Sequence, residues 1–269
     1  MKISVIIPTY KPQNYLWECL ESLASQTFPR EEFEVILVLN GCSEPYKGEI
    51  ENFISTKMYD MNVNFIYTKQ GGVSNARNIG LDNAKGEYVT FIDDDDFISP
   101  KYLELLFKDV DEDTISLCYP YAYNDGEIEK QLSYSLTDVY NEMYQKKELF
   151  LSSKVRKFFS GPCMKLIPMR IIQHRHFDLR FKNGEDSLFM FLISDRFKKY
   201  AFAPKEAVYY RRIRSGSATT SKMSVRYNII NLSRLIVEYS KIYFFTKKHY
   251  NLRFYITRIL GAIRSMIFF

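Results

Sequence analysis

The sequence predicts an α/β chain, built on an open, mostly parallel sheet flanked by helices and followed by a helical C-terminal extension. Three observations predict it. Apolar, β-branched runs alternate with helix-period segments four times within about 110 residues, the signature of strand–helix–strand units joined by right-handed crossovers. The strand segments are apolar throughout rather than alternating, as expected of strands buried on both faces. Polar clusters, Pro8-Thr9-Tyr10, Asn40-Gly41 and an acidic run at 93–96, follow predicted strands, at the edge where such sheets bind ligands.

Taken in order, residues 3–7 (ISVII) form the first strand, and NYLWECLESLASQ places Leu16, Leu20 and Leu23 at helical spacing. FEVILVLN (33–40) is the second strand, 46–60 a helix and NVNFIYT (62–68) the third strand. VSNARNIGLDNAKG reads as a helix opening after Gly71-Gly72 and closing at Gly86, EYVTFID (87–93) as the fourth strand, and PKYLELLFKDV as a helix from Pro100. Beyond 114 the pattern loosens: TISLCYPYAY reads as one strand, 138–147 as a short helix, GPCMKLIP (161–168) as a strand and EDSLFMFLISDRF (185–197) as an amphipathic helix. YAFAP and EAVYYRR (200–212) read as a strand pair, and 224–247 and 252–268 as two helices. The expected division is a core domain of residues 1–221 and an extension of residues 222–269.

Composition narrows the class. Of 269 residues 46% are apolar and 16% aromatic, with 11 glycines and 9 prolines, which excludes a disordered chain. The net charge of +5 conceals a split, because residues 222–269 hold nine bases against the single acid Glu238, leaving 28 bases and 31 acids in the rest. An acidic core without a known binding module argues against nucleic acid as partner. The four cysteines are scattered without a C-x-x-C pair, as expected of free thiols in a reducing compartment. MKISVIIPTY has an apolar run that Pro8 cuts after five residues, too short for a signal sequence. No stretch reaches the ~18 apolar residues of a membrane-spanning helix.

The acidic run FIDDDDFISP sets the chemical question. Ionised carboxylates ~5 Å apart repel by roughly 3 kcal/mol at an effective dielectric near 20. At a strand end they suit a hard divalent cation, Mg²⁺ or Mn²⁺, which is usually held by one or two carboxylates plus substrate phosphates and water. A solvated turn whose Asp side chains cap the next helix is the plain alternative. The spacing is not that of an EF-hand, and neither G-x-x-x-x-G-K-[ST] nor G-x-G-x-x-G occurs.

ISVIIPTYK, SLASQTF, GGVSNARNIGLDNAKGEYVTFIDDDD and KNGEDSLF, in this order through residues 1–217, resemble the motifs of the family-2 inverting glycosyltransferases of the GT-A fold, of the bacterial capsular and exopolysaccharide type. The resemblance implies a nucleotide-diphospho-sugar donor, with a UDP-sugar favoured, a divalent metal, and a glycan or lipid-linked glycan acceptor in surface polysaccharide synthesis. The strand-end D-x-D of the family falls on Asp93 to Asp95, with Asp95 as metal ligand, Asp93 and Asp94 at the donor, and Asp96 a further acid of the motif. Pro8, Thr9 and Tyr10 match the first nucleotide-binding loop, and Arg77 an arginine near the nucleotide and diphosphate. Two acids are usual after the second strand, where Leu39 and Asn40 stand instead. Asn40 can accept from one ring N–H and donate to a carbonyl, but the departure leaves the base open. Asp186 of NGEDSLF matches the general base, with Glu185 near the acceptor. Without the other motifs, GED is also an ordinary helix start, its acids at the positive end of the dipole. Arg214 matches a basic position near the diphosphate, while Arg211 and Arg212 read equally well as a solvated strand end. His174 and His176 have no third ligand nearby and read as a polar edge.

The extension combines nine bases with ten aromatics, and Ile229, Ile230, Leu232, Leu235, Ile236 and Tyr239 fit one helical face. Such helices suit an anionic membrane surface, a homodimer interface, or packing on the chain's own core. The expected location is the cytoplasm, with the extension offering a peripheral hold on the inner face of the cell membrane. Against the transferase stands a catalytically silent nucleotide-sugar-binding protein, which the missing acids at 39 and 40 keep open. Glu185-Asp186 favours the enzyme, since binding alone needs no base.

Overall fold

The computed structural model describes residues 1–108, 110–144, 154–214, 224–246 and 249–267. The repeats open the chain as β1 (Ile3–Thr9), α1 (Tyr15–Ala24), β2 (Phe33–Asn40), α2 (Tyr46–Lys57), β3 (Val63–Thr68), α3 (Val73–Asn83), β4 (Tyr88–Phe91), the short β5 (Phe97–Ile98) and α4 (Tyr102–Phe107). Then follow β6 (Thr114–Leu117), β7 (Tyr119–Asn124), α5 (Ser135–Met143), β8 (Lys165–Pro168), α6 (Met169–Ile172), α7 (Glu185–Leu192), β9 (Lys199–Phe202) and β10 (Val208–Ile213). The tail forms α8 (Val225–Phe245) and α9 (Leu252–Ile267).

The main sheet has the order β3-β2-β1-β4-β8-β6-β9. Pairing is parallel from β3 through β4 and between β6 and β9, and β8 runs antiparallel to both β4 and β6. Alternate side chains of β1 and β2 enter opposite cores: Ile6, Ile36 and Val38 on one face, and Val5, Ile7, Val35 and Leu37 on the other. Both faces are covered, α1 and α4 lying on one and α3, α5 and α7 on the other. The continuous apolar strand runs follow from this double burial.

Several elements depart from the expected bounds: the strand expected at 161–168 is confined to Lys165–Pro168, and the helix expected at 185–197 ends at Leu192. β1 continues through Pro8 to Thr9, because β4 has left the ladder at Ile6 and the proline keeps a free flank. TISLCYPYAY is two strands. β6 pairs with β8 and β9, whereas β7 pairs with β10, in a second sheet of order β5-β10-β7. The expected strand pair at 200–212 is likewise divided between the two sheets, with Pro204 in the break. The helix expected at 138–147 starts at Ser135, and residues 145–147 lie outside the described ones.

The tail packs on the core: Leu235, Tyr239, Tyr250 and Phe254 belong to the same buried cluster as Phe189 and Phe191 of α7. The expected boundary at 221/222 lies outside the described residues, as do the last positions expected of the tail helices, 247 and 268. Among the described residues no helix is long and apolar enough to cross a membrane.

Candidate active site

The acidic run leaves β4 as a tight turn closed by the Asp96 N–H donating to the Asp93 carbonyl at 3.0 Å. Each carboxylate has its own partner. Arg77 Nη2 donates to Asp93 at 2.9 Å, the Thr9 hydroxyl to Asp94, Arg214 Nε to Asp95 at 2.7 Å, and the Arg212 backbone N–H to Asp96 at 2.8 Å. Protein donors thus relieve part of the repulsion. Burial still pushes the Asp94 carboxyl up to about 7, and raises Asp95 and, further, Asp96.

Asp186 opens α7. Its N-cap Gly184 has φ +83°, a left-handed conformation natural to glycine, and a Cβ there would lie 2.4 Å from Leu235 Cδ1 of α8. Asn231 of α8 donates to the Asn183 carbonyl at 2.9 Å, and the Ser187 and Tyr239 hydroxyls are 2.6 Å apart. The turn carrying Asp186 is therefore built against the tail.

One guanidinium joins the two acidic centres. Arg77, 3% exposed, donates through Nη1 to Asp186 Oδ1 at 2.6 Å and through Nη2 to Asp93. Burial raises the Asp186 carboxyl above its ordinary value, and the Arg77 charge offsets part of that rise. Glu185 beside it is pushed up to about 7, first by burial and then by the Asp186 charge, and its Oε2 has no hydrogen-bond partner among the described residues. Asp93, Asp96, Asp186, Arg211, Tyr134 and Cys163 line one cleft of ≈ 530 Å³.

Of the remaining expected residues, Pro8, Thr9, Tyr10, Asn40, Asp94, Asp95, Glu185 and Arg214 do not line this cleft, nor does Arg77, which bonds two residues that do. Asn40 is buried, donating to the Thr9 carbonyl at 2.7 Å and accepting from Gly72 N–H at 2.8 Å, so one donor and one acceptor of its amide are committed to the loops. Tyr10, following Pro8 and Thr9, is 54% exposed, with its ring edge against Gly41. Arg77, expected beside a diphosphate, is instead committed to the two acids through both terminal nitrogens. Arg214 packs over Tyr15 at 4.6 Å. Residues 215–219 of the basic segment lie outside the described ones.

Arg211 and Arg212 are more than a solvated strand end. Arg212 Nε donates to the Asp95 carbonyl at 2.9 Å and Nη1 to Asp125 at 2.6 Å, while Arg211 Nη1 donates to the Tyr134 hydroxyl at 2.7 Å. Among the cleft residues that sequence reasoning missed are Tyr134 and the wall at 161–164, expected as the start of a strand. Only the Gly161-Pro162 pair signals a turn there. His176 pairs with Asp82 away from the cleft, a polar edge as expected.

The carboxylates fan out rather than converge, and among the described residues no three Asp, Glu, His or Cys side chains form a metal-binding group. A cation held by protein alone does not fit. One held through a single carboxylate and completed by a substrate diphosphate is compatible with them.

The raised carboxyls give a pH prediction. In the unfolded chain Asp94 and Glu185 lose their protons near their ordinary values of 3.8 and 4.5, and in the fold near 7. Their contribution to stability is therefore fully present below about 4 and lost as pH rises through about 7. Cation binding at the acidic run competes with the Asp94 proton. The thermal shift produced by Mn²⁺ with UDP should therefore be larger at pH 8 than at pH 6. Equal shifts would contradict the raised values.

A model of glycosyl transferase family 2 matches residues 4–175. The chain is 32% identical over 226 residues to glycosyltransferase GlyA of Streptococcus pneumoniae, covering 80% of this chain and 31% of that protein. It is 40% identical over 112 residues to the poly(ribitol-phosphate) β-N-acetylglucosaminyltransferase TarS of Staphylococcus aureus, covering 42% of this chain and 19% of that protein. The chain thus spans about a third or less of the length of these relatives. Residues 1–349 of TarS, solved with UDP-GlcNAc, superpose with a TM-score of 0.76 at 24% identity, covering 100% of this chain and 73% of that one. A mannosyltransferase from Pyrobaculum calidifontis, solved with GDP-Man and Mn²⁺, gives 0.65 at 16%, covering 99% and 70%. At these identities the superpositions show the fold.

Proposed function

The chain belongs to glycosyl transferase family 2 and carries the GT-A fold, and from that premise we propose that it is a metal-dependent inverting transferase. It moves a sugar from a nucleotide-diphospho-sugar to a hydroxyl of a surface-glycan or lipid-linked glycan acceptor. The observation that carries this reading is the Arg77 bridge, which sets a candidate base within one guanidinium of the acidic strand end.

The donor lies over the ends of β1, β2 and β4, its base beside Tyr10 and the free valences of Asn40, its ribose and sugar at Asp93 and Asp94. Mg²⁺ or Mn²⁺ at Asp95, when bound, supplies charge neutralisation at the departing diphosphate, and Arg214 adds a second positive charge on that side. Arg77 occupies Asp186 Oδ1, while Oδ2 faces Gly161 across the cleft, 4.0 Å from where a Cβ would stand. Oδ2 takes the proton of the acceptor hydroxyl as its oxygen bonds to the anomeric carbon, opposite the leaving diphosphate. Glu185 lies on the acceptor side. UDP is the favoured nucleotide, supported by the UDP-GlcNAc complex of TarS. The boundary at 221/222 is part of the same proposal.

Screening nucleotide sugars by mass spectrometry, with Mn²⁺ and a panel of alkyl glycosides, tests the reading. Metal-dependent glycoside product supports it, whereas UDP binding without turnover supports a silent binding protein.

The tail also presents an apolar stripe to solvent. Leu252, Ile256, Leu260 and Ile263 are exposed along α9 at helical spacing, as are Ile230, Val237 and Phe244 on α8, and Phe245 at the C-terminal end of α8 is 84% exposed. With the tail's excess of bases, this face suits an anionic bilayer on the side where a lipid-linked acceptor would lie. The chain should sediment with vesicles containing phosphatidylglycerol and not with phosphatidylcholine alone, and Phe245→Ser with Leu260→Ser should weaken the binding. No sedimentation, with a dimer in ultracentrifugation, would assign the stripe to a second copy instead.

A further inference from the structure

The wall of the cleft that faces Asp186 is held by two cations that the transfer chemistry does not use. Lys165 on β8, 1% exposed, donates to the carbonyls of Gly161, at 2.6 Å, and Cys163. Arg258, on α9 of the tail, donates to the Phe159 carbonyl and, at 3.1 Å, to the Ser160 hydroxyl. Between them they hold four of the five residues from 159 to 163. Ser160, Gly161 and Cys163 line the cleft with Asp186.

The wall is anchored at one end by the helical turn Val155–Ser160, whose Phe158 and Phe159 are buried, and at the other by a bridge between Cys163 and Phe91, while Gly161 and Pro162 between these anchors lie outside any ladder. Hydrogen bonds from charged donors are stronger than those between neutral groups, and these ones fix the stretch between the two anchors. Lys165 reaches the segment from its own strand. Arg258 reaches it from 98 residues away in sequence, through a helix that carries no residue of the donor side.

We infer that Arg258 is a positioning residue, by which the tail helix α9 fixes the acceptor wall of the cleft at residues 159–163 opposite Asp186. The acceptor role of that wall rests on the transferase reading; the clamp itself does not. The tail is then part of the active site's architecture, and loss of Arg258 should loosen acceptor handling without touching the donor.

Hydrogen exchange of Arg258→Leu tests this. Exchange in peptides covering 159–164 should rise about tenfold or more, while peptides of β1 and β2 keep wild-type rates. Binding of UDP with Mn²⁺ should stay at the wild-type value, and the KM for an alkyl glycoside acceptor should rise about tenfold at little-changed kcat. Arg258→Lys, which keeps a cation, should recover most of both effects, a rescue that a merely structural loss would not show. If Arg258→Leu fails to fold, Ser160→Ala and Arg258→Lys carry the decision, with local exchange about threefold faster in the first. Unchanged exchange at 159–164 in folded variants, or equal acceleration across β1 and β2, overturns the inference. Absence of transfer in the wild type would count against the transferase reading, and exchange alone would then decide the clamp.

Discussion

Asp186→Asn is expected to lower turnover by about 10²–10⁴-fold while leaving donor affinity nearly unchanged. The amide can still accept from Arg77 Nη1 through its oxygen, so the geometry around the bridge survives. What disappears is the acceptor for the proton of the attacking hydroxyl. The donor loops at Thr9, Asn40 and Asp94 make no hydrogen bond to Asp186, which is why affinity should hold. Steady-state rates and UDP titration on the same preparation separate the two quantities. Wild-type turnover would remove Asp186 from the mechanism.

Arg77→Met is expected to be the most destabilising single change in the site. It leaves two carboxylates facing each other without the charge between them. Removing one partner of a buried ion pair costs about 3–5 kcal/mol, and the low end applies because the Asp93 and Asp186 side chains retain 42% and 31% exposure. A loss of about 3 kcal/mol corresponds to a fall in Tm of roughly 6–12 °C for a chain of this size. The double variant Arg77→Met, Asp186→Asn should be less destabilised than the sum of the two, since neutralising Asp186 removes one of the stranded charges. Additive effects in thermal unfolding would mean that the bridge is not a coupled unit.

The first half of the fold was legible because β1 to β4 are buried on both faces, and double burial writes itself into sequence as unbroken apolar runs such as ISVII and FEVILVLN. The split of TISLCYPYAY was not. Nothing local distinguishes Leu117, paired with Lys165 and Phe202, from Tyr119, paired with Val208, since these partners lie 48–89 residues away. The acidic run and Asp186 were legible as candidate chemistry. Their joining by Arg77 was not, because a contact across 109 residues leaves no periodic trace. For the same reason the tail read as an extension, although Leu235 and Tyr239 pack directly beneath the helix that carries Asp186.

The central claim is that the acidic turn at 93–96 is a donor–cation centre and that a separate base stands at 186, joined to it through Arg77. Calorimetric titration of UDP with and without Mn²⁺, run on Asp95→Ala beside Asp186→Asn, tests it most directly. The account predicts that Asp95→Ala keeps its fold but loses the Mn²⁺-dependent gain in UDP affinity, whereas Asp186→Asn keeps the gain and loses only turnover. A full Mn²⁺-dependent gain in Asp95→Ala would contradict it.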